Sequence, residues 1–118
     1  MLGNHFVVNV VYDGTLAANK VFYWKAPFRC SLAHVSAVTS NNSDATLKIG
    51  TSADDDSALV ATAIGDSGTP AVFDLDNFVG GVYPQFEAAT IIVFTLDFDG
   101  AAGTAAQNVN IVATFSEG

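Results

Sequence analysis

The sequence is poor in basic residues. It has 4 Lys plus Arg against 12 Asp plus Glu, which gives a formal net charge of −8 at pH 7. A chain this acidic is repelled by the phosphates of nucleic acids and by anionic lipid surfaces. We therefore expect neither a nucleic acid nor a membrane as partner, and we look for a neutral, cationic or protein partner instead.

Cysteine is scarce and long apolar runs are missing. Cys30 is the single cysteine, so no disulfide can form within the chain, and we expect it to be a small buried apolar side chain. No run approaches the ~20 apolar residues that a membrane-spanning helix needs. The first residues, Met1 to His5, lack the basic start and apolar run of a secretory signal, so we expect cytoplasmic synthesis without export.

Catalytic and metal-binding motifs are absent as well. The sequence has no Gly-x-Ser-x-Gly and no glycine-rich phosphate loop before a helix. The run Asp54-Asp55-Asp56 lacks the alternating ligands of an EF-hand loop, and strand alternation puts Cys30 on the same face as His34 without the further ligands that zinc needs. We predict that the protein is not an enzyme and has no cofactor or metal site, while calcium binding by the acidic loop stays an open alternative.

What the sequence does have is apolar residues in strand-like alternation. The hydrophobic fraction is 50% and the charged fraction is 14% in 118 residues, which suits one domain with a packed core. No window shows an uninterrupted apolar stripe at helical spacing. We predict an all-β fold, an antiparallel β-sandwich of about eight strands, at Phe6–Val11, Lys20–Lys25, Ser31–Thr39, Ala45–Gly50, Ala58–Ile64, Ala71–Leu75, Thr90–Asp97 and Val109–Phe115.

Three of these strands alternate clearly enough to predict which face is buried. Leu47 and Ile49 share one face of their strand, and Thr46 and Lys48 share the other. The same pattern predicts inward side chains in the last two strands, at Ile92, Phe94, Leu96 and Phe98 and at Val109, Ile111, Ala113 and Phe115. These side chains form the predicted core.

The N-terminal strands are apolar on both faces. Valines surround Asn9 in the first strand, and Val21-Phe22-Tyr23-Trp24 has no polar face in the second. Either the domain itself or a neighbouring subunit covers the second face. We divide the chain into residues 1–19, an N-terminal strand or arm, and residues 20–118, the β-sandwich, within a single domain.

The order of segments from Val21 onwards is similar to that of a known group of virus proteins. The segments run FYWKAP (22–27), SLAHVSAV (31–38), ATLKIGTS (45–52), ALVATAI (58–64), PAVFDL (70–75), ATIIVFTLDFDG (89–100) and GTAAQNVNIVATF (103–115). This order resembles the small jelly-roll capsid decoration (cement) and head-fibre proteins of tailed bacteriophages. Residues 1–19 do not align to the pattern.

The resemblance implies a structural role in the virion. It implies a jelly roll, a homotrimer, bound to the major capsid protein on the capsid exterior after synthesis in the host cytoplasm. We predict that capsid or subunit contacts are made by side chains of the N-terminal strands and the segment after them, at Phe6, Val8, Val10, Phe22, Trp24 and Phe28. Deleting residues 1–19 should then abolish trimerisation or capsid binding.

A second function class fits the aromatic content. Aromatic rings on a sandwich face stack on sugars, so the alternative is a carbohydrate- or receptor-binding module of a tail fibre or adhesin. The candidate ligand platform in that case is Tyr83 with Phe86.

Overall fold

The computed structural model describes residues 4–118 of the protein. These residues form nine strands and one short 3-10 turn, Val79–Gly81. The strands, in chain order, are β1 His5–Thr15, β2 Lys20–Lys25, β3 Cys30–Val38, β4 Thr46–Thr51, β5 Leu59–Ala63, β6 Ala71–Phe73, β7 Gln85–Phe86, β8 Ile91–Asp97 and β9 Gln107–Glu117. Over the described range, no helix is long and apolar enough to cross a bilayer.

The strands form two sheets that pack face to face as a jelly-roll sandwich. One sheet has the order β1-β9-β3-β6, with β7 also paired to β3, and the other has the order β2-β8-β4-β5. All strand pairs are antiparallel. The first four strands, β1 to β4, therefore lie alternately in one sheet and the other, which is the arrangement of a jelly roll.

All eight predicted strands are present, and the structure adds a ninth. β7 has only 2 residues, too few to show alternation, and pairs with the start of β3 through Phe86 opposite Cys30. It follows Pro84, whose carbonyl accepts a hydrogen bond from Leu32 N at 2.8 Å. β6 and β7 thus lie along the same edge of β3, separated by the 3-10 turn.

The predicted core is confirmed except at Phe98. Leu47 and Ile49 of β4 are fully buried, as are the inward side chains of the two strands that lie at the centre of the sheets, Ile92, Phe94, Leu96, Val109, Ile111, Ala113 and Phe115. Phe98 follows the last residue of β8 and is only partly buried against the core. Burying one such leucine, isoleucine or phenylalanine contributes roughly 1.5–3 kcal/mol. The alternation therefore fixes the inward face of each of these strands.

The prediction that Cys30 and His34 share a strand face is wrong. Cys30 and Leu32 are fully buried, but the pairing of β3 with β9 shifts register between Leu32 and His34. This β-bulge adds one residue, so His34 turns to the solvent and Val35 enters the core. The burial predicted for Cys30 is confirmed, and this burial raises the pKa of its thiol.

β1 is a full member of its sheet. It pairs with β9 from His5 opposite Ser116 to Tyr12 opposite Val109, and its side chains Phe6, Val8 and Val10 pack against the core. Removing residues 1–19 would leave the β9 edge and these contacts uncovered. Such a deletion would therefore test folding before it could test attachment, and single substitutions are the better experiment.

Candidate interaction surface

One side of the sandwich is left open between the two sheets. β1 ends one sheet and β2 ends the other, and both edges lie on this side because only four residues, 16–19, connect them. The connection is held at both ends. Leu16 is buried and its N–H donates to Ala106 O at 3.0 Å, while Asn19 Oδ1 accepts from Phe98 N at 3.1 Å. We call this side the open edge.

An aromatic cluster lies at one end of the open edge. The ring of Phe6 on β1 has its centroid 5.6 Å from Trp24, 5.4 Å from Phe28 and 5.5 Å from Phe115. Trp24 on β2 also contacts Phe115, at 5.0 Å, so rings from both sheets meet here. Aromatic pairs of this kind contribute about 0.5–1.5 kcal/mol each beyond their buried area.

The cluster runs from the core to the surface. Phe115 is fully buried, Phe6 and Trp24 are half-buried, and Phe28 is 39% exposed. An edge strand has no neighbour to cover its inward side chains on the outer side, which explains why Phe6 and Trp24 stay partly open. Phe115 was not predicted to belong to this cluster, although its burial in the core was predicted correctly.

A groove continues from the cluster along the open edge. It has a volume of about 320 Å³ and is lined by consecutive residues of both edge strands together with Phe94 of β8: Val8, Asn9, Val10, Val11, Phe22, Tyr23 and Trp24. Beyond the groove, the Lys20 ammonium lies 5.4 Å from the ring centroid of Tyr12. The structure therefore brings all six residues predicted to make contacts to one side of the molecule, and their role in binding stays a prediction.

The candidate ligand platform is not formed by its two residues. Tyr83 is 47% exposed, but Phe86 is buried and its ring lies 6.4 Å from that of Phe115. Pairing of β7 with β3 turns Phe86 inwards, because Cys30 opposite it also faces the core. Phe86 therefore offers no ring face to a ligand in this structure.

The outer face of the four-stranded sheet is covered by the chain itself around Gly50 and Val93, while Val21 and Tyr23 of β2 stay exposed on the same face. The loop between β4 and β5 folds back over Gly50, and a Cβ atom at that position would lie 2.2 Å from Asp54 O. Thr51 N donates to the same carbonyl oxygen at 2.8 Å, and Lys48 Nζ lies 3.0 Å from Asp55 Oδ2. Val93, which points to this outer face, is only 4% exposed as a result.

The acidic run lies at the tip of this loop. The carboxylates of Asp54, Asp55 and Asp56 lie within 4.8 Å of one another and are exposed. A side-chain hydrogen bond with Asp54, reinforced by the neighbouring carboxylates, raises the pKa of Asp56. The loop thus concentrates negative charge on the outer face of the four-stranded sheet, where Asp55 lines a second groove together with Val21 and Tyr23 of β2.

Comparison with known proteins finds similarity at the level of structure only. No protein-family model matches the chain, and no curated protein matches it. A chain of the capsid asymmetric unit of cyanophage Pam1 is similar with a TM-score of 0.58 and 15% identity, over 98% of this chain and 86% of that one. The comparison shows a shared fold.

Two further solved structures are more distant. The Yersinia pseudotuberculosis-derived mitogen has a TM-score of 0.41 and 10% identity over 99% of this chain and 88% of its own. The infectious bursal disease virus Gx strain structure has a TM-score of 0.36 and 16% identity over 98% of this chain and 32% of its own. At these scores the similarity does not establish a common fold, and jelly rolls in general serve many functions.

Proposed function

We propose that the protein is a structural component of a virion, a decoration or cement protein that binds the outer surface of a phage head and stabilises it. The observation that carries the proposal is the open edge, where Phe28 and the groove leave apolar surface uncovered on an otherwise acidic chain. An exposed apolar patch with a polar surround marks a protein contact site.

Two further points support the proposal. The segment order resembles that of phage decoration proteins, and the fold is shared with a capsid chain of cyanophage Pam1 that has a similar length. The net charge of −8 suits a position on the outside of a shell, since packaged DNA would repel it.

The mechanism follows from mass action. A protein that binds the assembled shell and not its separated subunits stabilises the assembled state by its binding free energy. The partner that the proposal names is the major capsid protein, and the resemblance implies that three copies bind together. The aromatic rings at the open edge would supply the buried anchors of the contact, because interface energy concentrates in a few such side chains.

The test uses heads of the encoding phage that lack this protein. Wild-type protein added back should sediment with the heads and raise the temperature at which they release DNA. Phe28→Ala should weaken that binding at least about tenfold, because truncating an anchor residue costs about 2 kcal/mol or more and about 1.4 kcal/mol is tenfold. The matched control is Val79→Ala, whose side chain is 44% exposed beside the start of β5, far from the open edge.

The outcomes separate the two function classes. Binding that Phe28→Ala weakens and Val79→Ala does not would support the decoration function. No binding to heads, together with quenching of the fluorescence of Trp24 by a glycan, would replace it with the carbohydrate-binding alternative, because Trp24 is the single tryptophan of the chain. A gene beside those of the major capsid and scaffold proteins would add independent support.

A further inference from the structure

β1 is the sheet edge with the least protection against pairing with another chain. Among the described strands that end the two sheets, β6 and β7 have 3 and 2 residues, β5 has 5, and β2 begins and ends with a lysine. Short edge strands and edge lysines are ways in which proteins prevent edge-to-edge pairing. β1 has 11 residues, no proline, and no Asp, Glu, Lys or Arg between His5 and Tyr12.

The main-chain groups of β1 are arranged for a further strand. Glu117 N donates to Asn4 O at 2.8 Å, so Asn4 and Glu117 are a hydrogen-bonded pair that continues the register of β1 with β9. Such pairs alternate along an antiparallel ladder. The N–H and C=O groups of Phe6, Val8 and Val10 therefore point to β9, and those of the odd-numbered residues from His5 to Val11 point out over the open edge.

We propose that two copies of this chain associate through β1, paired antiparallel about a two-fold axis with Asn9 of one copy opposite Asn9 of the second. The pairing would join the two five-stranded sheets into one continuous sheet. Each odd-numbered pair would exchange two main-chain hydrogen bonds, as in any antiparallel ladder. Because the contact is two-fold, each copy would use the same surface.

In this register, each side chain of β1 lies opposite a compatible side chain of β1 in the second copy. On the outer face, Val7 lies opposite Val11 of the second copy; both valines are more than half exposed in the single chain, at 58% and 53%. On the groove side, Phe6 lies opposite Tyr12. At each end, His5 lies opposite Asp13, so an imidazole N–H donor meets a carboxylate acceptor. Matched cross-strand pairs of this kind stabilise sheets.

Charge and burial both favour a second copy as the partner. Two copies of a chain with net charge −8 repel each other over most of their surface, and the uncharged stretch of β1 is where they meet without opposing carboxylates. The added strand would also lie beside Phe6, Val8 and Val10, which are only half-buried at the open edge. This pairing does not rest on the proposed function, since a protein that binds no capsid can still form it. It gives two copies where the resemblance to decoration proteins implies three, so the mass in solution distinguishes the two.

The first test measures particle mass by sedimentation equilibrium of the full chain across a concentration series. Wild type should reach twice the chain mass of 12.2 kDa. Asn9→Pro should raise the dissociation constant at least about tenfold, because it removes the two central hydrogen bonds between copies and none to β9. Asn9→Ala is the matched control, which keeps the main-chain donor and should still form the pair.

The second test examines the register. Val7→Lys with Val11→Lys places ammonium groups opposite each other and should leave the chain monomeric, whereas Val7→Lys with Val11→Glu places opposite charges together and should restore the pair. Circular dichroism checks that each variant is folded. A monomeric wild type, a mass of three chains, equal effects of Asn9→Pro and Asn9→Ala, or equal masses for the two double variants would overturn the proposal.

Discussion

Gly50 is the residue on which the cover of the four-stranded sheet depends. Its backbone has an ordinary strand conformation, so alanine is compatible with the chain direction. The space is not compatible, because an added Cβ would lie 2.2 Å from Asp54 O, 2.5 Å from Asp55 C and 2.7 Å from Asp56 N. All three atoms are main-chain atoms, so no side-chain rotation relieves the contact and the loop itself has to move.

The size of the effect follows from what the loop would lose. Forcing an extra methyl group into packed surroundings costs roughly 1–3 kcal/mol. The displaced loop would also weaken the hydrogen bond from Thr51 N to Asp54 O, which contributes about 0.5–1.5 kcal/mol, and it would expose Val93. The exposed ion pair of Lys48 with Asp55 adds little. We expect Gly50→Ala to lower the free energy of unfolding by about 2–4 kcal/mol.

Urea unfolding followed by the fluorescence of Trp24 measures this loss. A protease that cleaves at aspartate gives a second readout, since it should cut the displaced loop faster than the wild-type loop. Gly68→Ala is the control for backbone strain alone, because Gly68 has a φ of +79° with nothing within 4 Å of an added Cβ. A Gly50→Ala protein as stable and as resistant to the protease as wild type would refute the covered-face account.

Three further predictions concern the aromatic cluster, the acidic loop and the cysteine. Phe115→Ala should lower the free energy of unfolding by about 3–5 kcal/mol and Phe28→Ala by about 1–2 kcal/mol, because the first ring is fully buried and the second is partly exposed; equal losses in urea unfolding would contradict the layering of the cluster. The raised pKa of Asp56 means that the folded state favours the protonated carboxyl. The contribution of this carboxyl to stability is therefore present below the ordinary carboxyl pKa and is lost as pH rises. Asp56→Asn should raise the melting temperature near pH 7 and leave it unchanged near pH 3. Burial raises the pKa of the Cys30 thiol, so a thiol reagent should label the native protein only as fast as it opens, and rapid labelling of folded protein would disprove that burial.

Strand positions were predictable from the sequence because their signal is local. Alternation at Leu47 and Ile49, or at Phe94 and Leu96, shows which side chains enter the core before any partner strand is known. β7 was not predicted, because a strand of 2 residues is too short to show alternation and its pairing depends on β3, which lies far away in the chain. The strand face of His34 was predicted wrongly, because the bulge in β3 is produced by its pairing with β9.

The open edge was only half predictable. The first two strands have apolar residues on both faces, which indicated that the second face is covered as well as the one facing the core. The structure places both strands at sheet edges. The sequence could not place Phe28 against Phe6, because that contact depends on how two sheets pack. It also could not show that Gly50 makes room for the acidic loop, since the clash is with main-chain atoms that only the fold brings there.

The most direct test of the whole account is a cryo-electron microscopy reconstruction of the virion that carries this protein. We expect the jelly roll on the outside of the head, with the open edge formed by β1 and β2 against another protein chain. A virion with the jelly roll in the tail, or on the head with the open edge facing solvent, would contradict it.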